Sequence, residues 1–222
     1  MTTVANILTA VGYRLFPDSD QTITTTSEPN STECTQWINE VCEELLTVCV
    51  ERGSEVGRDT AEITLADGDD DYTDLADLIL APVVMYGLYG EQFSGWIEKT
   101  NVRNPLKLTT QAAAIMYDPA LESEPVEFYL NGSNTLIFLP TPDDEYTAMI
   151  PYYPYHTTLT ATTDTLPFKK IFDNVMIESV TMRAQNREEY DLAFELKWFS
   201  YIRGQARKII SMRKNETVGF VN

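Results

Sequence analysis

The sequence predicts an α+β fold, with N- and C-terminal helices forming a helical bundle and an antiparallel β-rich subdomain inserted between them. Three observations point there. Apolar residues recur at helical spacing near the N-terminus and again from Pro167 onward. Between these stretches, short runs rich in β-branched and aromatic residues are separated by Gly, Pro, Asn and Asp. The chain has 222 residues, 43% hydrophobic and 11% aromatic, enough to fill a substantial core without staples. The expected division is 1–60 for the N-terminal helical part of the core and 61–165 for the β-rich subdomain. Residues 166–213 then supply the C-terminal helices that complete the core, and 214–222 form a tail.

Each element has its own signature. Ile7, Leu8, Val11 and Leu15 recur at helical spacing between Val4 and Leu15, with Thr2 or Thr3 as the cap. Residues 18–33 are rich in Asp, Ser, Thr, Pro and Asn and read as a loop. A helix follows from about Glu33 to Arg52 and stops at Gly53. On it Cys34, Ile38, Val41, Cys42, Leu45, Val48 and Cys49 share a stripe about 120° wide at about 100° per residue. The three cysteines are spaced eight and seven apart, which fits no CxxC metal site, so they are expected in the core as small apolar residues. Ala61 to Leu65 alternates as a strand does, and Asp67-Gly68-Asp69-Asp70-Asp71 is a turn. Val83 to Leu88 fits a strand or a buried helix equally well, and residues 93–120 give no clear pattern. Val126–Leu130, Thr135–Leu139 and Tyr146–Tyr153 are three β-rich runs joined by Asn131-Gly132-Ser133-Asn134 and Pro140-Thr141-Pro142-Asp143-Asp144, which predicts a meander. Pro167 opens a helix carrying Ile171, Phe172, Val175, Met176, Ser179 and Met182 on one side. A long helix over about Glu188 to Arg213 has two apolar stripes. One holds Phe194, Trp198, Tyr201, Ile202, Ile209 and Met212; the other holds Leu192, Leu196, Phe199, Ala206 and Ile210. A helix apolar on two sides needs two partners.

The charge excludes several functions. Sixteen Lys and Arg stand against 34 Asp and Glu, a net charge of -18. Such a chain gains nothing from counterion release on nucleic acid, and anionic membranes repel it. No apolar run reaches the roughly 18 residues a bilayer requires, and Met1-Thr2-Thr3-Val4-Ala5-Asn6 has no basic segment followed by an apolar block, so no secretory signal is expected. The charge is uneven: residues 1–167 carry 27 acids and 6 bases, residues 168–222 carry 7 acids and 10 bases. Either the C-terminal part meets something different from what the body meets, or its helices simply carry more Lys and Arg.

No catalytic constellation emerges. The only histidine, His156, lies in the aromatic run Tyr152-Tyr153-Pro154-Tyr155-His156 and is expected at a surface or strand edge. A nucleophile elbow and a phosphate-binding loop are both missing. The Asp67–Asp77 cluster fails the EF-hand pattern from either start, since the required Gly and Glu positions hold Tyr72 and Leu78, or Asp74 and Leu80. Asp143 and Asp144 are adjacent in a turn, where carboxylates ordinarily serve turn chemistry. No catalytic residue, cofactor or metal site is therefore expected.

The order of these elements resembles the head-to-tail adaptor, or connector ring, proteins of tailed bacteriophages. The residues that carry the resemblance are Val126-Glu127-Phe128-Tyr129-Leu130-Asn131-Gly132, Leu136-Ile137-Phe138-Leu139-Pro140-Thr141-Pro142-Asp143 and Met149-Ile150-Pro151-Tyr152-Tyr153, followed by a Leu166-Pro167 exit into two helices. The helix opening Thr35-Gln36-Trp37-Ile38-Asn39-Glu40 fits as well. The resemblance implies a non-enzymatic virion protein made in the host cytoplasm and placed at the neck. It implies a homo-oligomer, a dodecameric ring, that docks on the portal protein and supports a downstream tail or nozzle protein. It further implies that DNA passes through the lumen without specific binding, and that no membrane is involved. Under that reading Arg213, Lys214, Phe220 and Val221 contact the portal, Trp198, Phe199, Ile202 and Ile209 form the subunit interface, and Asp69, Asp70 and Asp71 line the channel. The competing expectation is a tail-associated carbohydrate-binding β module, in which Tyr152, Tyr153 and Tyr155 stack on sugars; a hydrolase using a carboxylate pair is a third.

Overall fold

The computed structural model describes residues 2–17, 22–72, 79–86, 92–100, 102–118, 120–131, 135–168, 170–187 and 192–218, without the side chains of 79, 80, 86 and 213–218. Among the described residues the helices are α1 (Val4–Leu15), α2 (Ser31–Arg52), α3 (Gln111–Ala114), α4 (Asp173–Gln185) and α5 (Leu192–Val218). The strands are β1 (Asp59–Leu65), β2 (Asp71–Tyr72), β3 (Ile79–Pro82), β4 (Met85–Tyr86), β5 (Gln92–Phe93), β6 (Gly95–Glu98), β7 (Arg103–Leu108), β8 (Glu127–Leu130), β9 (Leu136–Leu139) and β10 (Tyr146–Pro154). They fall into two compact units: Met1–Gly57 with His156–Asn222, and Arg58–Tyr155.

The first unit is helical. Thr3 and Asn6 cap α1 reciprocally, and Asn30 and Glu33 do the same for α2, so each helix begins with its free N–H groups partly satisfied. Gly53 ends α2 in the left-handed region, at φ 58°, which favours glycine. The start of the chain is stitched to the segment that leads into α4: Val4 N donates to Asp164 O at 3.0 Å, Leu166 N to Thr2 O at 2.9 Å, and the Thr2 hydroxyl to Asp173 Oδ2 at 2.6 Å. The helices α1, α2, α4 and α5 pack on one another. Ile7, Ile38, Leu45, Phe172 and Trp198 are each at most 1% exposed, and each contributes about 1.5–3 kcal/mol by burial. All three cysteines lie inside this core, as their spacing predicts, and burial pushes the Cys34 and Cys49 thiols up to about 12 and Cys42 higher still. They are inert packing groups.

The second unit is built on a sheet in the order β1-β10-β6-β7-β8-β9-β2, with β3 also paired to β10 and a separate β4–β5 ribbon. All pairs are antiparallel except β7–β8. Its core gathers Ile63, Leu65, Ile97, Leu106, Phe128, Phe138 and Ile150. The predicted strands are present, but the meander is not. β8 and β9 form a hairpin, whereas β10 leaves them and pairs with β1, β3 and β6. Length and burial explain this. Four consecutive residues of β10, Ile150 to Tyr153, are buried, so the strand belongs in the interior of a sheet and cannot sit at an edge beside the four-residue β9. The stretch without a clear sequence pattern holds β6, β7 and α3.

Candidate functional site

The long C-terminal helix is the first candidate surface. Trp198, Ile202 and Ala206 are fully buried and Ile210 is 6% exposed. The Trp198 indole Nε1 donates to the Ser179 carbonyl at 2.8 Å, and Arg183 lies over its ring at 5.2 Å. Trp198 and Ile202, expected at a subunit interface, are therefore the chain's own core. The inward face is drawn from both sequence stripes, because a row of i, i+4, i+8 and i+12 positions turns slowly around a straight helix. Phe199 and Ile209 are half-buried. The apolar side chains left outside are Leu192, 67% exposed, Leu196, 63%, and Met212, 54%. Ser200 and Gly204 continue the Leu192–Leu196 row at the same spacing and are exposed.

Four of the ten basic residues behind the C-terminal charge excess are paired with glutamates of the first unit. Arg203 Nε donates to Glu44 Oε2 at 2.6 Å, and an Arg207 amino group donates to Glu51 Oε2 at 2.9 Å, tying α5 to α2. Arg187 meets Glu28 at 3.1 Å and Glu33 at 3.7 Å, and Arg183 pairs with Glu195. The Arg207 hydrogen bond holds the Glu51 carboxyl below its ordinary range. Lys197 and Lys208 are exposed and enter no ion pair among the described residues.

The second candidate surface is acidic. Carboxylate oxygens of Asp69, Asp70 and Asp71 lie within 4.8 Å of one another; Asp69 and Asp71 are exposed and Asp70 is half-buried. Gly68 turns the chain at φ 74°, and its N–H donates to the Pro142 carbonyl at 2.8 Å. That bond sets a second acidic turn, Asp143-Asp144-Glu145, beside the first. Nothing in the local sequence links the two turns, since only the fold brings residues 68 and 142 together. The Tyr72 hydroxyl holds the first turn by accepting from Ala66 N at 2.7 Å and donating to Asp69 O at 3.0 Å. Asp143 Oδ1 accepts from the Tyr146 hydroxyl at 2.7 Å, and Asp144 Oδ1 accepts from Glu145 N at 2.8 Å. These are turn-forming contacts, and both aspartates are exposed.

A family model for the SU10 adaptor protein matches residues 2–217. The chain belongs to the SU10 adaptor protein family. No curated protein matches it at a significant level. Membership agrees with the resemblance to phage head-to-tail adaptors drawn from residues 126–167, and it extends that likeness over nearly the whole chain.

Other expected site residues of this SU10 adaptor family member fall as follows. Arg213 and Lys214 lie within α5, which runs on to Val218 instead of ending near Arg213; nothing between 213 and 218 is a helix breaker. Phe220 and Val221 lie outside the described residues. Tyr152 and Tyr153 are 6% and 3% exposed, so only Tyr155, at 49%, remains of the tyrosine platform for sugars. Tyr153 packs under Arg58 instead, whose Nε donates to its hydroxyl at 3.2 Å. His156 is half-buried, with Nε2 2.8 Å from Asn39 Oδ1. Among the described residues no helix is long and apolar enough to cross a membrane.

Proposed function

We propose that this chain is the head-to-tail adaptor of a tailed bacteriophage. Copies form a ring, dodecameric as in the proteins it resembles. The ring docks on the portal, continues the DNA channel and offers tail proteins a platform, with no catalytic activity of its own. The observation that carries this reading is the family match over residues 2–217. The acidic turns support it. A channel that passes DNA must not hold it, and Asp69, Asp70 and Asp71 beside Asp143 and Asp144 would repel phosphate from the wall. The end of α5 and the residues after it, with Arg213, Lys214, Phe220 and Val221, are the segment assigned to the portal.

Negative-stain imaging of the purified protein, alone and mixed with its portal, tests the reading. Rings, or rings stacked on the portal, are expected. Monomers that ignore the portal overturn it. Removing residues 214–222 is expected to abolish portal capture; unchanged capture withdraws the role given to the C-terminal segment.

A further inference from the structure

Building on the adaptor reading, we propose that the outer face of α5, centred on Leu196, Ser200 and Gly204, is where one copy of the chain seats on the next. Two large leucines, Leu192 and Leu196, stand more than 60% exposed on this face. Beside them the surface dips. Two shallow depressions adjoin there, one against Lys197 and Tyr201 and the other against Phe199 and Arg203, and Ser200 and Gly204 line both. Gly204 is the telling residue. In a helix interior glycine is less favourable than any residue but proline. A Cβ added here meets nothing within 4 Å, and the backbone is not left-handed. The fold of the single chain therefore makes no demand for glycine at this position. What the missing Cβ provides is closer approach from outside.

Charge selects the occupant. Each copy carries -18, so copies repel unless a positive surface of one meets an acidic surface of another. Arg203 is neutralised by Glu44, but Lys197 and Lys208 flank this face exposed and outside the ion pairs of the described residues. Two copies joined through the same face would set these lysines against each other. The contact is therefore heterologous, with α5 of one copy against a different, acidic face of the next, and that is the geometry that closes rings.

The test uses the full-length chain and two variants. Gly204→Leu fills the dip, with the open space and better helix propensity predicting an unchanged or raised melting temperature. Lys197→Glu with Lys208→Glu reverses the charge without touching the core. Sedimentation velocity reads self-association, and negative-stain imaging reads rings formed alone or on the portal. Both variants are expected to weaken self-association by about tenfold or more while melting as the wild type does. Wild-type assembly by both variants overturns the seat and leaves the adaptor reading standing. So does loss of portal binding with self-association intact, which would give the face to the portal. A wild-type chain that stays monomeric with and without portal overturns the adaptor reading, and this proposal with it.

Discussion

At Gly95 the sheet leaves no space for even a methyl group. An added Cβ would lie 2.6 Å from Ile150 Cδ1 and 2.8 Å from the Met149 carbonyl oxygen. The backbone oxygen cannot step aside, so Gly95→Ala is expected to destabilise the chain by about 1–3 kcal/mol, read as a lower urea midpoint. His156 offers a different test. Its Nδ1 is buried with no hydrogen-bond partner among the described residues, and burial lowers its pKa although Glu43 pulls the other way. The folded state thus prefers the neutral ring. Its contribution is fully present above the ordinary histidine value of about 6.5 and is lost as pH falls below it. Stability measured from pH 8 to 5 should fall in that window, and His156→Gln should flatten the drop. At this scale the sequence was legible where one surface had one meaning. The cysteines share a single helical stripe and are buried. Trp198 and Ile202 lie in the chain's own core because the inward face takes residues from both stripes, and neither stripe alone marks it. Tyr152 and Tyr153 fed the sugar-binding alternative because consecutive buried positions in an interior strand look like an aromatic patch.

Elements are decided mainly at their ends. Asn30 Oδ1 accepts from Glu33 N at 2.9 Å, and Glu33 Oε2 accepts from Asn30 N at 3.0 Å. Losing this cap costs about 0.5–2 kcal/mol, so Asn30→Ala should lower the melting temperature, while Asn30→Asp should largely preserve it. The Asn-Ser-Thr-Glu signature was present in the sequence, but the surrounding Ser, Thr and Pro residues absorbed it into a loop, which placed the start of α2 at Glu33 instead of Ser31. Its end at Gly53 was legible because a left-handed cap needs glycine. The strands β8, β9 and β10 were legible as strands, and β8–β9 as a hairpin, yet the partners of β10 were not. Partnership in a sheet depends on residues far away in sequence, such as Ala61 opposite Ile150. The parallel β7–β8 pair is the extreme case, since its crossover through α3 carries no pattern that local spacing could reveal.

For the whole molecule, the α+β class was readable from composition and periodicity. The use of its charge was not. The basic excess after residue 167 fits either an external partner or helices that simply carry Lys and Arg, and Arg183, Arg187, Arg203 and Arg207 are bound to glutamates of their own unit. Only three-dimensional proximity separates those four from Lys197 and Lys208. The division into two units makes its own prediction. Arg58–Tyr155 is a continuous stretch with its own core. Expressed alone, it should unfold in one cooperative transition and give dispersed amide resonances; a chain without tertiary structure would show that its sheet depends on the rest of the protein.

Asp59, the first residue of β1, faces Tyr152, two residues before the end of β10, in one antiparallel ladder. Tension applied between Arg58 and Tyr155 therefore pulls on the same end of β1 and β10. The hydrogen bonds are loaded one after another instead of all together, and the sheet opens like a zipper. β10 is also held at that end by β3, with Tyr152 opposite Pro82 and Tyr153 opposite Ala81. β1, an edge strand, is thus the one that peels. A pulling experiment through these two points should record a low, gradual rupture force, far from the sharp peak of strands sheared lengthwise.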